Sequence, residues 1–195
     1  GQTGVWLALT GARLKAADTV ALGIHTHFVP GIDLADFKAA LLSNPADPLE
    51  EADRYVCPTE PEEVPLDAHR EAIDRLFAFD TVEEIFAALE ADGSDWALAQ
   101  LKTLKTKSPQ SLKVSLRQIR TGAGLSSFAE NMAMEYALGG RVVQTHDFLE
   151  GVRAVIVDKD NAPQWSPADL SGVSDASLDA LFAPLPVNEE WEPLA

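Results

Sequence analysis

The sequence predicts a mainly α-helical chain with at most one or two short strands. Three observations predict it. Helix start signals recur from Asp67 onward, apolar residues follow them at spacings of three and four, and glycines stand where the periodic segments stop.

Taken in order, residues 5–9 read as a short apolar helix closed by Gly11, and residues 15–22 as a second one closed by Gly23. Glycine suits both ends because it enters left-handed backbone without a Cβ clash. Residues 24–29 read as a short extended piece, with Pro30 and Gly31 as a turn. Residues 34–42 read as a helix with Asp33 as its cap and Leu34, Phe37 and Leu41 on one face. Residues 44–66 hold five of the twelve prolines and a run of acids against one arginine. Proline blocks regular hydrogen bonding and like charges repel, so this stretch reads as an irregular surface loop. It separates residues 1–43 from a helical region spanning 67–195.

The helical region is densely signalled. Thr81 and Glu84 form a capping box, in which hydroxyl and carboxylate each meet a free N–H at the helix start. Val82, Ile85, Phe86 and Leu89 then make one apolar face. Gly93 ends that helix, and Ser94 starts another with Trp96, Leu98, Leu101 and Leu104. Ser108 before Pro109 is a cap followed by proline at the first helical position, where its missing N–H costs nothing. Leu112, Leu116 and Ile119 give that helix its core face. Ser127 and Glu130 form a second box ahead of Met132 and Tyr136, and Asp147 with Glu150 resembles a third, ahead of Val152, Val155 and Ile156. The remainder is looser, with Pro163, Trp165 and Pro167, and ends in a short helix around residues 175–182.

Composition excludes some functions. The net charge of −16 repels a phosphate backbone, so nucleic acid is not an expected partner. No apolar run approaches the roughly 20 residues that span a bilayer, so no membrane is expected either. One cysteine, Cys57, suits a reducing compartment. The charge is uneven: between residues 101 and 129 there are six cations, Lys102, Lys105, Lys107, Lys113, Arg117 and Arg120, and no acid. Such a stripe holds a small anion or pairs with acidic surface elsewhere, and the second role is the commoner one.

The search for chemistry finds little. Gly122 and Gly124 lack the third glycine and preceding strand of a phosphate loop and read as a turn between helices. His25 and His27 share a face if extended, but no cysteine or carboxylate stands at ligand spacing beside them. Cys57 has no adjacent base. Asp147 and Glu150 could do acid–base work as a pair, but capping accounts for both. Asp158, Lys159 and Asp160 read as a helix end with surface ion pairs, and Trp6, Trp96, Trp165 and Trp191 as core or edge aromatics or pocket lining. No metal and no cofactor is called for.

Four ordered stretches together resemble a known family. They are Leu7–Lys15 running to Thr26–Val29; Thr81–Ile85; Ser108–Lys113 with Leu116–Gln118; and Met134–Tyr136 with Asp147–Ala154, Asp158–Asp160 and Pro163–Trp165. The set is similar to the 3-hydroxyisobutyryl-CoA hydrolase branch of the enoyl-CoA hydratase/isomerase (crotonase) superfamily. Ala137 departs from the pattern, where the family often has arginine. The resemblance implies the helical C-terminal part of a crotonase-like fold, with residues 1–43 ending its core. It implies a hydrolase that cleaves a β-hydroxyacyl-CoA thioester in valine catabolism, without a cofactor beyond acyl-CoA itself. Backbone N–H groups would hold the thioester oxygen and acidic residues would position water. The family carries both ahead of the part matched by Gly1, so no catalytic residue is expected in this chain, which alone should be inactive. The implied partners are acyl-CoA, an upstream crotonase core and a further copy of the chain. The implied compartment is the cytoplasm, or the mitochondrial matrix in a eukaryote. Lys113 and Arg117, four apart on one helix face, are the candidates to meet CoA phosphates or a neighbouring subunit. Two other functions fit the residues: an enoyl-CoA hydratase or isomerase of the same superfamily, and a non-catalytic helical assembly module.

Overall fold

Each strong start signal produces a helix. The computed structural model describes residues 1–56 and 64–191. Its helices are α1 (Thr3–Thr10), α2 (Ala16–Ala21), α3 (Leu34–Ser43), α4 (Pro48–Tyr55), α5 (Arg70–Leu76), α6 (Val82–Asp92), α7 (Asp95–Leu104), α8 (Pro109–Gly122), α9 (Phe128–Val142), α10 (His146–Val152) and α11 (Asp175–Phe182). A π-helical turn, Arg153–Val157, continues α10. No strand occurs among the described residues.

The caps explain the boundaries. Thr81 Oγ1 accepts from Glu84 N at 3.2 Å while Glu84 returns its carboxylate to Thr81 N at 3.1 Å. Ser127 and Glu130 repeat the arrangement at the head of α9. Ser94 and Ser108 accept from the N–H groups of Ala97 and Ser111. Gly11 and Gly93 both sit at φ +69°, the left-handed conformation that closes α1 and α6.

Three local expectations fail. Residues 24–29 do not form a strand; Ile24 N and His25 N both bond back to Thr19 O and wrap the end of α2. An extended segment needs a neighbouring strand for its backbone groups, and none is supplied. Residues 44–66 are not wholly irregular, because α4 lies within them. Pro48 stands at its first position, where proline is tolerated, and Asp47 accepts from Glu50 N at 3.0 Å. Arg54 reaches Glu50 and Glu51 at 2.6 Å each, so part of the acidity is neutralised within the helix. Asp33 precedes α3 but makes no side-chain cap bond, being part of a 3-10 turn that already leads into the helix. Cys57 lies outside the described residues.

The chain divides into two compact units, residues 1–11 with 72–195, and residues 12–71. In the first, α1, α6, α7 and α8 enclose a core of Val5, Leu9, Phe77, Ile85, Leu89, Leu104, Leu112 and Leu116. A smaller cluster joins Val114 of α8 to Leu138 of α9 and Leu178 and Leu181 of α11. The apolar spacing overstates burial in two helices. Leu98 of α7 and Tyr136 of α9 are exposed, and Leu138 is the buried residue of α9. In the second unit, buried Asp18 accepts from the backbone of Lys15 and Leu66 at 3.0 and 3.1 Å. Phe37 and Tyr55 bring their ring centroids to 5.5 Å.

Phe77 has no exposed surface. Phe77→Ala is expected to lower unfolding free energy by about 3–5 kcal/mol in urea melts, through lost burial and the cavity left behind.

Candidate functional site

Asp147 lies beneath an open trough in the first unit and ties together elements that line it. It does not cap α10. Thr145 does, its hydroxyl accepting from Phe148 N at 3.4 Å. Asp147, two residues further on, points its carboxylate inward and is 3 % exposed. There it accepts the hydroxyl of Ser108 and, at 2.8 Å, the backbone N–H of Ser166. Ser108 is the cap of α8, so one carboxylate ties the head of α8, the head of α10 and the segment around Ser166 together.

Glu150 departs from the capping expectation too. It accepts from Arg153 at 2.8 Å through both oxygens and from Gln164 N at 2.7 Å. Its partners hold the carboxyl down at about 2, the Arg153 guanidinium contributing most and the Gln164 N–H next. Arg153 also reaches Asp158 and Asp160 at 2.7 Å each. Arg153, followed by the Ala162 N–H, likewise draws the Asp160 carboxyl below the usual carboxylate range. The ion pairs expected around residues 158–160 are therefore present, with their cation seven or fewer residues upstream. Asp158 N donates to Arg153 O at 2.8 Å and closes the π turn, so side chain and backbone of Arg153 serve the same bend.

Above this clamp lies an open trough of about 450 Å³. Leu9 of α1 and Gly11 at its end line it, together with Ser111 and Leu112 of α8, Phe148 and Val152 of α10, and Val155 and Ile156 of the π turn. Trp165 closes an end, its Nε1 donating to Thr106 O at 3.1 Å. Ser108 lines the trough beside Asp147, but its hydroxyl is committed to that carboxylate, and His146 Nε2 is 3.0 Å from Gln164 O. An acyl-transfer site needs a nucleophile, a base and oxyanion donors converging on one point. This trough offers apolar surface over a polar clamp instead.

The remaining sequence candidates fall in different places. Lys113 and Arg117 share a face of α8 as expected. Lys113 Nζ lies 2.7 Å from Glu83 and 3.3 Å from Val173 O. Arg117 lies 2.7 Å from Asp179 and 4.6 Å above the ring of Phe182. His27 Nε2 meets Asp53 at 2.9 Å, a carboxylate 26 residues away that local spacing could not find. His25 Nδ1 instead meets Thr19. No group of three metal-binding side chains occurs among the described residues. Gly122 ends α8, and Gly124 lies in the turn between α8 and α9. Trp6 Nε1 donates to Gln100 at 2.8 Å at the core edge.

The sequence did not reveal the partners of three arginines that organise the unit, Arg153, Arg141 and, within the cationic stripe, Arg120. Arg153 is described above. Arg120 donates to Gln2 and to the carbonyls of Phe77 and Phe79. Arg141 donates to the carbonyls of Leu181, Ala183 and Pro184, satisfying chain ends beyond α11. Nothing in their local spacing signals these contacts.

Capped helices frame an open, largely apolar trough, and comparison with known proteins identifies the family to which they belong. The model of the family described as enoyl-CoA hydratase/isomerase matches residues 1–182. The chain belongs to that family. Within it, the chain is 43 % identical over 192 residues to the mitochondrial 3-hydroxyisobutyryl-CoA hydrolase of Danio rerio, covering 95 % of this chain and 50 % of the relative. It is 41 % identical to the Homo sapiens protein of the same name, at the same coverage of each chain. Among solved structures, an enoyl-CoA hydratase from Rhodobacter sphaeroides superposes with a TM-score of 0.81 at 36 % identity, over 97 % of this chain and 53 % of that one. A carnitinyl-CoA dehydratase from Mycobacterium thermoresistibile gives 0.83 at 34 % identity, over 95 % and 52 %. The chain thus spans about half the length of the curated relatives it matches. No helix of the described residues is long and apolar enough to cross a membrane.

Two predictions test the clamp. Asp147→Ala is expected to cost about 2–3 kcal/mol, because the Ser108 hydroxyl and Ser166 N–H lose a charged acceptor. Asp147→Asn, which keeps one carbonyl acceptor, is expected to cost less; paired chemical melts measure both. For Glu150, the folded carboxyl lies below its ordinary value of 4.5. Its contribution is therefore present above that value and is lost as pH falls toward about 2. Melting temperature followed across this window should fall for the natural chain. Glu150→Gln should start lower at neutral pH and lose less on acidification.

Proposed function

We propose that the chain is the helical half of a hydrolase that cleaves an acyl-CoA thioester, with 3-hydroxyisobutyryl-CoA as substrate. The identity of 43 % over 192 residues to a protein of that name carries the reading. The four motif stretches of the sequence lie within that similarity and support the same reading. A crotonase core joined upstream would supply the oxyanion hole and the acids that position water. This chain's own contribution is architectural: the Asp147 and Arg153 clamps hold one apolar wall in place. The reaction would belong to valine catabolism, in the mitochondrial matrix of a eukaryote or the cytoplasm of a bacterium.

The solved structures favour a second reading, since those named here are a hydratase and a dehydratase. Their identities, 34 % and 36 %, are below that to the hydrolases. The two readings separate on products, because a hydrolase frees the CoA thiol and a hydratase leaves the thioester intact.

The deciding protein is this chain fused behind the upstream half of the Danio rerio relative. Incubated with 3-hydroxyisobutyryl-CoA, it is expected to release free thiol, while the chain alone releases none. Water addition to an enoyl-CoA without thiol release would replace the first reading by the second. The acidic partners Glu83 and Asp179 support a structural role for Lys113 and Arg117 over contact with CoA phosphates. Reversing both charges in the fused protein should lower its melting temperature and leave CoA affinity unchanged; a fall in affinity at unchanged stability would assign the cations to CoA.

A further inference from the structure

A second pocket of the first unit, of about 360 Å³, is lined by α9 and by the segment that follows α11. From α9 come Ala133, Met134 and Ala137; from the end of α11 and beyond come Phe182, Glu190 and Trp191. Arg141 fixes the course of that segment, because its guanidinium donates to the carbonyls of Leu181, Ala183 and Pro184. It does not itself line the pocket. The lining points to one class of ligand. Its charged group is a carboxylate: Glu190 is exposed, has no ion pair or hydrogen bond among the described residues, and meets no cation in the lining. The rings of Phe182 and Trp191 are half-buried, and the negative face of an aromatic ring attracts cations. Phe182 already carries one cation, the Arg117 guanidinium 4.6 Å above its ring. Elsewhere the lining is apolar, with the Met134 thioether and two alanines. A strongly hydrated ion gains nothing from such surface, whereas a cation with an apolar shell does.

We infer that this pocket binds a small organic cation of the trimethylammonium class. The methyl groups meet the rings and aliphatic lining, and the charge is balanced by Glu190. Such a cation keeps little of its hydration in water, so burying it against apolar surface costs less than burying a primary ammonium. The volume lies within the roughly 300–1,000 Å³ of small-molecule sites. The inference goes beyond the hydrolase reading and does not rest on it. Glu190 and Trp191 lie past residue 182, where the family match ends.

Calorimetric titration of the chain with choline tests this, at constant ionic strength, with 3,3-dimethylbutanol as the uncharged counterpart of the same shape. Choline is expected to bind about tenfold more tightly than the alcohol. Glu190→Gln keeps the shape of the side chain and removes its charge. It should weaken choline about threefold and leave the alcohol unaffected. Ala137→Arg places a tethered guanidinium on the α9 side of the same pocket and should abolish choline binding. The absence of any heat with choline would overturn the inference. Equal affinities for choline and the alcohol would reduce the pocket to an apolar cavity and overturn it too. Choline affinity unchanged by both substitutions would place the cation elsewhere, with the same consequence. Tighter binding of a peptide carrying trimethyl-lysine than of choline would assign the site to a modified protein chain and overturn the small-molecule assignment.

Discussion

A buried carboxylate has to be satisfied by hydrogen bonds, and Asp147 is satisfied by two segments that are far apart in sequence. Its oxygens accept from Ser108, 39 residues upstream, and from Ser166, 19 residues downstream. Ser108 is at the same time the cap that starts α8. Three helix and chain ends therefore meet at one charge, and none can shift without leaving a polar group stranded in a low-dielectric site. Asp147 and Ser108 both line the trough, and α8 and α10, which they join, supply much of the rest of its lining.

Arg153 performs the complementary task on the outside of the same helix. It gathers Glu150, Asp158 and Asp160, and closes the π turn with its own carbonyl. A wide turn normally weakens a helix end. Here a guanidinium shared among three carboxylates holds it. The consequence is functional, since the turn carries Val155 and Ile156 to the surface. Polar contacts thus organise an apolar face, and neither element of the pair is itself placed to do acyl chemistry. This division is consistent with the architectural role proposed for this member of the enoyl-CoA hydratase/isomerase family.

Local patterns were read from sequence with most success where the physics is local. The Thr81 and Ser127 boxes, the caps at Ser94 and Ser108, and the glycines at positions 11 and 93 involve groups within four residues of one another. Asp147 and Glu150 show the limit of such reading. Three residues apart before an apolar run, they match the spacing of a capping box, yet Thr145 takes the cap and both acids serve distant partners. The same limit explains residues 24–29, whose extended composition found no strand to pair with, and α9, whose apolar spacing found little to bury against.

By itself the sequence determined the helical class, most helix boundaries and, through four ordered motif stretches, the family. These follow from propensities and caps that act over one turn, and from residue order. Only the tertiary structure decided that Asp147 is a buried tie, that Arg153, Arg120 and Arg141 each gather several acceptors, and that Val155 and Ile156 stand exposed. Those outcomes turn on which groups the folded chain brings together, across 19 residues for Asp147 and Ser166 and around a π turn for Arg153, or on which face a neighbour leaves uncovered. Spacing along the chain does not encode either one.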